Sequence, residues 1–312
     1  MSETNEIKNP HDKTFKEIMS DTSIAKDFIK NYLPPEILKQ IDLNKLEIKK
    51  DTFIEPELKE RYTDVLYQVK LNNKKAYLYL LFEHKSYKDK NITIQLLQYM
   101  VNIWQLDIKQ KAKELPIIIP IVIYHGIGKW NIGLKLSDIL TPPAPLELKK
   151  YIPDYQYILY DLPTYNSEQI IGEAKLQIFI RTLANTFNPE FTIKTVNTIL
   201  EMLRELEKED TANITFIKII IKYIMAVIDD LTIEELNKRY QLISREGSDL
   251  IMTIAEQLRE EGRAIGEAIG EAKGEAKKQI EIAQNMIKLK MDITTIQQVT
   301  GLSQKEIKQL MQ

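Results

Sequence analysis

Apolar residues fall at helical spacing early in the chain, with Phe15, Ile18, Met19, Ala25, Phe28 and Ile29 on one side of residues 12–32. The Pro34–Pro35 pair ends this run, because proline cannot continue a helix. The period then drops to two. Residues 63–71 (TDVLYQVKL) alternate, and residues 76–83 (AYLYLLFE) form a second strand-like run. Asn72–Asn73 between them suit a tight turn, which predicts a hairpin. Helical spacing returns over 91–111, with Ile94, Leu97, Val101 and Trp104 as the expected buried side. Residues 117–124 (IIIPIVIY) are uniformly apolar, as buried central strands are, but Pro120 argues for an edge or bulge position. Residues 155–162 read as one more strand.

After about residue 166 the pattern is helical through Phe187, again over 193–209 and again over 214–229. Thr232 followed by Glu235 suits a capping box opening another helix. Residues 249–291 read as one long helix in which Gly262, Gly266, Gly270 and Gly274 recur every four residues. Each glycine costs a helix interior about 1 kcal/mol relative to alanine. The stripe therefore marks either close packing by a partner helix or a flexible helical linker. In the tail, a short helix over 293–300 meets a turn at Gly301, and Ser303 with Glu306 caps a second helix. Ile296, Val299, Leu302, Ile307 and Leu310 are its expected core, in the layout of a helix-turn-helix. A plain helical hairpin is the other reading. The expected organisation is a core over 1–165, a helical bundle over 166–248, a glycine-striped helix over 249–290 and a helix-turn-helix-like tail over 291–312.

Composition narrows the chemistry. The chain has 312 residues and a formal net charge of −2, so contact with nucleic acid must come from local basic patches. It has no cysteine, which excludes disulfides, thiolate zinc sites and cysteine nucleophiles. The start, MSETNEIKNP, lacks an apolar signal core, and the greasiest stretch, 214–228, is interrupted by Lys218 and Lys222. These features lead to the expectation of a soluble, cytoplasmic protein with no membrane partner.

The hairpin carries the candidate chemistry. Asp64 heads its first strand, and Glu83 and Lys85 end the second in the run FEHKS. Alternation puts Glu83 and Lys85 on one face, and antiparallel pairing brings Asp64 beside Glu83. Two carboxylates and an ammonium at one end of a sheet suit phosphodiester hydrolysis. Carboxylate oxygens are hard ligands for Mg²⁺ or Mn²⁺, and a lysine can orient a water and offset developing charge. Solvated strand-end charges are the plain alternative. His84 lies between Glu83 and Lys85, so its ring points to the opposite face and its backbone carbonyl is the better metal ligand. No H-x-H or H-x-x-x-H spacing among His11, His84 and His125 supports a zinc site.

Six stretches together resemble the recombination-promoting nuclease (Rpn)/transposase family, a branch of the PD-(D/E)XK nuclease superfamily. They are PHDKTFKEIM at 10–19, YLPPEI at 32–37, YTDVLYQV at 62–69, YLLFEHKS at 79–86, LLQYMVNIW at 96–104 and PIVIYHG at 120–126. The resemblance covers the first 130 residues well and the rest loosely. It implies an α/β fold of the restriction-endonuclease-like type, a mixed sheet flanked by helices, followed here by an all-α C-terminal region. It places the D-(E)-x-K roles on Asp64, Glu83 and Lys85, with Asp64, Glu83 and His84 as the metal set. Thr63 stands where the superfamily has the proline of "PD", and Lys85 where many family members carry glutamine. The superfamily's habit of placing Gln or Tyr from the following helix near the site points to Gln98, with Gln95 and Tyr99 on the same turn. An ordinary amphipathic helix is the alternative there. Glu17, or its competitor Asp12, would add a further carboxylate.

The implied function is a Mg²⁺-dependent DNA endonuclease linked to recombination, mobile elements or defence. The alternative is a DNA-binding or assembly protein that uses an inactive nuclease fold as scaffold. A transposase of the three-carboxylate type needs a third acid on the same sheet, and the sequence identifies none. The glycine stripe predicts a homodimer through residues 249–290.

Overall fold

The computed structural model describes residues 10–49, 63–72, 74–83, 89–140, 146–187, 193–210, 213–228, 231–243 and 248–311. Contacts divide the chain into two compact units, residues 1–251 and 252–312.

The first unit opens with helices α1 (Pro10–Met19) and α2 (Thr22–Tyr32), where the sequence predicted one helical region. Asp21 makes the break: it caps α2 by accepting from the Ser23 amide at 2.8 Å. A single helical turn, α3 (Pro35–Leu38), then leads into strand β1 (Ile41–Lys49), an element the sequence reading missed. β1 is an edge strand with an irregular register between Asp42 and Glu47, and Leu46 alone among its residues is fully buried. Its alternation is too weak to announce a strand.

β2 (Thr63–Leu71) and β3 (Lys74–Glu83) form the expected antiparallel hairpin, from Leu71 opposite Lys74 to Thr63 opposite Phe82. Asn72 at the turn has φ 49, a left-handed conformation that asparagine tolerates well. Helix α4 (Ile92–Lys109) then carries the chain back so that β4 (Ile117–Tyr124) runs parallel to β3, as a crossover requires. β5 (Ile158–Asp161) adds in parallel, completing the mixed sheet β1-β2-β3-β4-β5. Pro120 is therefore in an interior strand. Pairing with β5 begins only at Ile121, so Pro120 lies where β4 has one neighbour and its missing N–H falls outside that ladder.

α4 covers one face of the sheet through Ile92, Leu96, Tyr99, Met100 and Ile103, which cluster with Leu66, Tyr77, Tyr79, Val122, Tyr124 and Trp130. The side marked by Ile94, Leu97, Val101 and Trp104 is only partly inward: Ile94 is 43% and Val101 38% exposed, while Trp104 packs partly buried against this cluster. The helix is apolar almost all round, so counting apolar residues does not identify its inward face. The buried stripe has the same helical spacing. At the far end of the sheet, Lys75 Nζ donates to the buried Asp107 carboxylate at 2.6 Å. Burial pulls the Lys75 pKa down, but its hydrogen bonds to Asp107 and Tyr77 outweigh this and the net shift is upward.

The other face packs on α1, where the Tyr67 hydroxyl donates to the Met19 carbonyl at 2.5 Å. Helices α5 (Ala174–Asn185), α6 (Ile193–Glu209), α7 (Ile214–Val227) and α8 (Ile233–Ile243) belong to the same unit. α1 packs on α7, and α2 on α5. The Thr232 hydroxyl caps α8 by accepting from the Glu235 amide at 3.2 Å. Among the described residues, no helix is long and apolar enough to cross a membrane.

Helix α9 (Ser248–Lys288) begins at the end of the first unit, and α10 (Ile293–Thr300) and α11 (Gln304–Leu310) complete the second. Asp292 caps α10, Gly301 turns the chain at φ 73, and Ser303 and Glu306 form a reciprocal capping box on α11. Their core is Ala283, Met286, Ile296 and Ile307, flanked by Ile287, Ile293, Leu302 and Leu310. The end of α9 thus supplies a third wall that a two-helix reading omitted. Val299, expected in this core, is 61% exposed. Among the described residues, a Cβ built on Gly262, Gly266, Gly270 or Gly274 would meet nothing within 4 Å.

Candidate functional site

The parallel strands β3, β4 and β5 end together, and β2 begins beside them. Asp64 is registered opposite Leu81, two residues before Glu83. Glu83 is registered beside Tyr124, and Tyr124 beside Asp161. The backbone thus sets positions 64, 83, 124 and 161 along one end of the sheet. Positions 64 and 83 share the strand parity of Leu66, Tyr77 and Tyr79, whose side chains lie on the α4 face. His84 and Lys85 lie outside the described residues, as do the side chains of Asp64 and Glu83.

α4 overlies this end with its first turns. Gln95 is 9% exposed, Tyr99 is buried, and the Tyr99 ring lies 5.2 Å from that of Tyr79. Gln98 faces solvent. Among the described residues, neither amide atom of Gln95 has a hydrogen-bond partner. A buried primary amide left so costs about 1–3 kcal/mol, so the position reads as a polar group kept for a ligand or water. The sequence grouped Gln95 with Gln98 and Tyr99 but could not rank them, because that depends on which side of α4 is inward.

The segment after β4 is braced by aromatic residues. Trp130 packs edge-on to Tyr124 at 4.9 Å, its backbone N–H donates to Asp161 Oδ2 at 2.8 Å, and its indole N–H donates to the Tyr157 hydroxyl at 3.1 Å. Burial pushes the Tyr157 hydroxyl up to about 12, so it stays protonated and donates to the Gly133 carbonyl at 3.0 Å. Gly133 has no room for a side chain: a Cβ would sit 2.3 Å from that of Asp138.

Asp161 is an acid at the site end of the sheet that the sequence did not single out. Two strand spacings, about 10 Å, separate its backbone from that of Glu83. One of its oxygens is engaged by Trp130. It does not complete a three-carboxylate set.

On the opposite face, His125 follows β4 and is fully buried. Its ring lies 5.1 Å from that of His11, whose Nδ1 is 2.8 Å from the Tyr223 hydroxyl. Phe187 stands 5.1 Å from His11 and 5.2 Å from His125. This cluster joins α1, β4, the end of α5 and α7. It pairs two of the three histidines across the fold, which no sequence spacing signalled. Among the described residues, no group of three potential ligands stands at metal-binding geometry. Asp12 and Glu17 lie on α1, Glu17 on its exposed side.

Comparison with known proteins defines the class first. Residues 9–213 match the family described as "Putative transposase, YhgA-like", and residues 276–312 match the C-terminal HTH domain of the Rpn/YhgA-like nuclease family. The chain belongs to this Rpn/YhgA-like nuclease family. It is 26% identical over 299 residues to recombination-promoting nuclease RpnA of Escherichia coli K12, covering 96% of each chain. It is 28% identical over 170 residues to RpnC of the same strain, 54% of this chain and 56% of that one. It is 26% identical over 259 residues to a protein named as inactive, RpnE, covering 81% and 83%. No solved structure matches significantly.

Proposed function

We propose that the chain is a metal-dependent DNA endonuclease with Asp64, Glu83 and Lys85 as its centre. The observation that carries this reading is the β2–β3 register, which sets Asp64 within two residues of Glu83 at the open end of a mixed sheet. The donor set fits a hard cation, Mg²⁺ or Mn²⁺: two carboxylates, with the main-chain carbonyl of His84 as a third oxygen. The Gln95 amide on the buried side of α4, unpartnered among the described residues, fits as well, because it offers an NH2 donor and a carbonyl acceptor to bound water or phosphate. When bound, the ion polarises the scissile phosphate and lowers the pKa of a coordinated water.

The chain's own groups do the rest. Lys85 orients the attacking water and offsets charge on the phosphoryl oxygens. Gln95, on the buried side of α4, takes the role the sequence gave to Gln98. The braced segment behind Tyr124 keeps the sheet end rigid. The helix-turn-helix tail holds DNA, and residues 249–290 join two copies through the open glycine stripe.

Nicking of supercoiled plasmid in Mg²⁺, Mn²⁺, Ca²⁺ or EDTA tests the reading. Wild type is expected to nick in Mg²⁺ or Mn²⁺ only, and Asp64→Ala and Glu83→Ala are expected to be inactive yet folded. Lys85→Ala should slow turnover more than it weakens metal binding. Unchanged activity in either carboxylate variant would overturn the assignment. A wild type that binds DNA but never cuts would favour the scaffold reading, which the name of the RpnE relative already raises.

A further inference from the structure

The loop after β4 presents an isoleucine to solvent at the end of the sheet where Asp64 and Glu83 stand. β4 ends at Tyr124, the register partner of Glu83, so residues 125–130 rise from the site itself. His125, Gly126 and Trp130 are buried, while Ile127, Gly128 and Lys129 are exposed, Ile127 by 55%. This tip is held in one shape. The Tyr124 hydroxyl donates to the Ile127 carbonyl at 2.9 Å, and Trp130 is fixed through Asp161 and Tyr157. Gly128 turns the chain at φ 70 with open space around its Cα. The backbone that carries an exposed β-branched side chain is thus held, and such preorganisation lowers the cost of binding.

The charge beside it selects the partner. Exposed Lys129 sits two residues along the tip. A single apolar side chain is far too small for a protein interface, which takes about 800 Å² from each partner. One apolar side chain beside a cation is instead the equipment of a minor-groove wedge.

We propose that residues 127–129 form a DNA-contacting tip, in which Ile127 enters the minor groove next to the scissile step and Lys129 holds a flanking phosphate. The position of the contact rests on the nuclease reading of this sheet end. Its role is to fix and locally unstack the duplex so that one strand's phosphate is held at the carboxylates.

The test uses the full chain bound in Ca²⁺ to a duplex carrying 2-aminopurine at successive positions, which brightens when unstacked. Wild type is expected to raise the fluorescence at one step. Ile127→Ser is expected to abolish that rise while anisotropy still reports binding within a few-fold, since the side chain is exposed and the fold does not need it. Lys129→Ala is expected to reduce the slope of log affinity against log salt by about one. A rise that persists in Ile127→Ser, no rise with bound wild type, an unchanged slope in Lys129→Ala, or no duplex binding at all would each overturn the contact. Nicking in Mg²⁺ is scored separately. Nicking without an Ile127-dependent signal sinks the tip alone, and an Ile127-dependent signal without nicking sinks the nuclease reading alone.

Discussion

In the unit ending at Ile251, Tyr67, Tyr77, Tyr79, Tyr124, Tyr157 and Tyr223 are all fully buried beside a sheet and its covering helices. In residues 252–312 the described core cluster is Ala283, Met286, Ile296 and Ile307, and α9 leads up to it with its glycines facing open space. The first region is held by non-local packing. The second is held by local devices: an Asp292 cap, a left-handed Gly301 and a Ser303–Glu306 box.

Core truncation should separate them most strongly. Phe179→Ala removes a fully buried ring that packs on Phe15 at 6.0 Å, and about 3–5 kcal/mol of stability should go with it. Hydrogen exchange should speed up across the sheet and leave residues 293–310 as they were. Ile307→Ala should do the reverse. Exchange rising equally in both regions in either variant would join what the comparison separates.

The Lys75–Asp107 pair should give the next largest effect. Lys75→Ala strands a buried carboxylate and should cost ~2 kcal/mol, the low side for breaking a buried pair, because the Lys75 side chain is 40% exposed. The sign with pH follows from its raised pKa. The ammonium's contribution is complete below the ordinary lysine value of about 10.4 and is lost as pH rises through the higher folded value. Urea melts of wild type should therefore weaken above about pH 10.4, and those of Lys75→Ala should lose that step.

Gln95 sets function against stability within the first region. Gln95→Leu removes a buried amide unpartnered among the described residues and should leave stability unchanged or raise it by about 1 kcal/mol, while nicking falls about 10²-fold. Destabilisation together with full activity would make Gln95 a structural residue.

The smallest effects belong to the glycine stripe. Each glycine of α9 changed to alanine should add about 1 kcal/mol to a solvated helix, since nothing stands in the way of the new Cβ. If two copies pack through the stripe, the fourfold alanine variant should instead sediment as a monomer where wild type sediments as a dimer. A monomeric wild type at micromolar concentration would reject the dimer.

The sequence made the hairpin legible because alternation and the Asn72–Asn73 turn are local signals, and the structure pairs Leu71 with Lys74 as they require. The tail's caps were legible for the same reason. β1 was not, because an edge strand with one fully buried residue carries almost no pattern. The inward side of α4 was not, because a helix apolar all round hides its own orientation, and that concealed Gln95 behind Gln98. The meeting of His11 with His125 depends on bringing α1 to the end of β4, which no window of sequence reports. Asp64, Glu83 and Lys85 stood out only because chemistry, strand ends and the family's motifs agreed on them.

The central claim is that Asp64 and Glu83 serve one metal ion. Fe²⁺ bound in place of Mg²⁺ and treated with ascorbate and peroxide cuts a polypeptide next to the residues that hold it, so the full chain reports its own ligands. Cuts are expected near both residue 64 and residue 83, suppressed by excess Mg²⁺ and lost in Asp64→Ala. Cuts near only one of the two positions, or a pattern unchanged in Asp64→Ala, would contradict a shared ion.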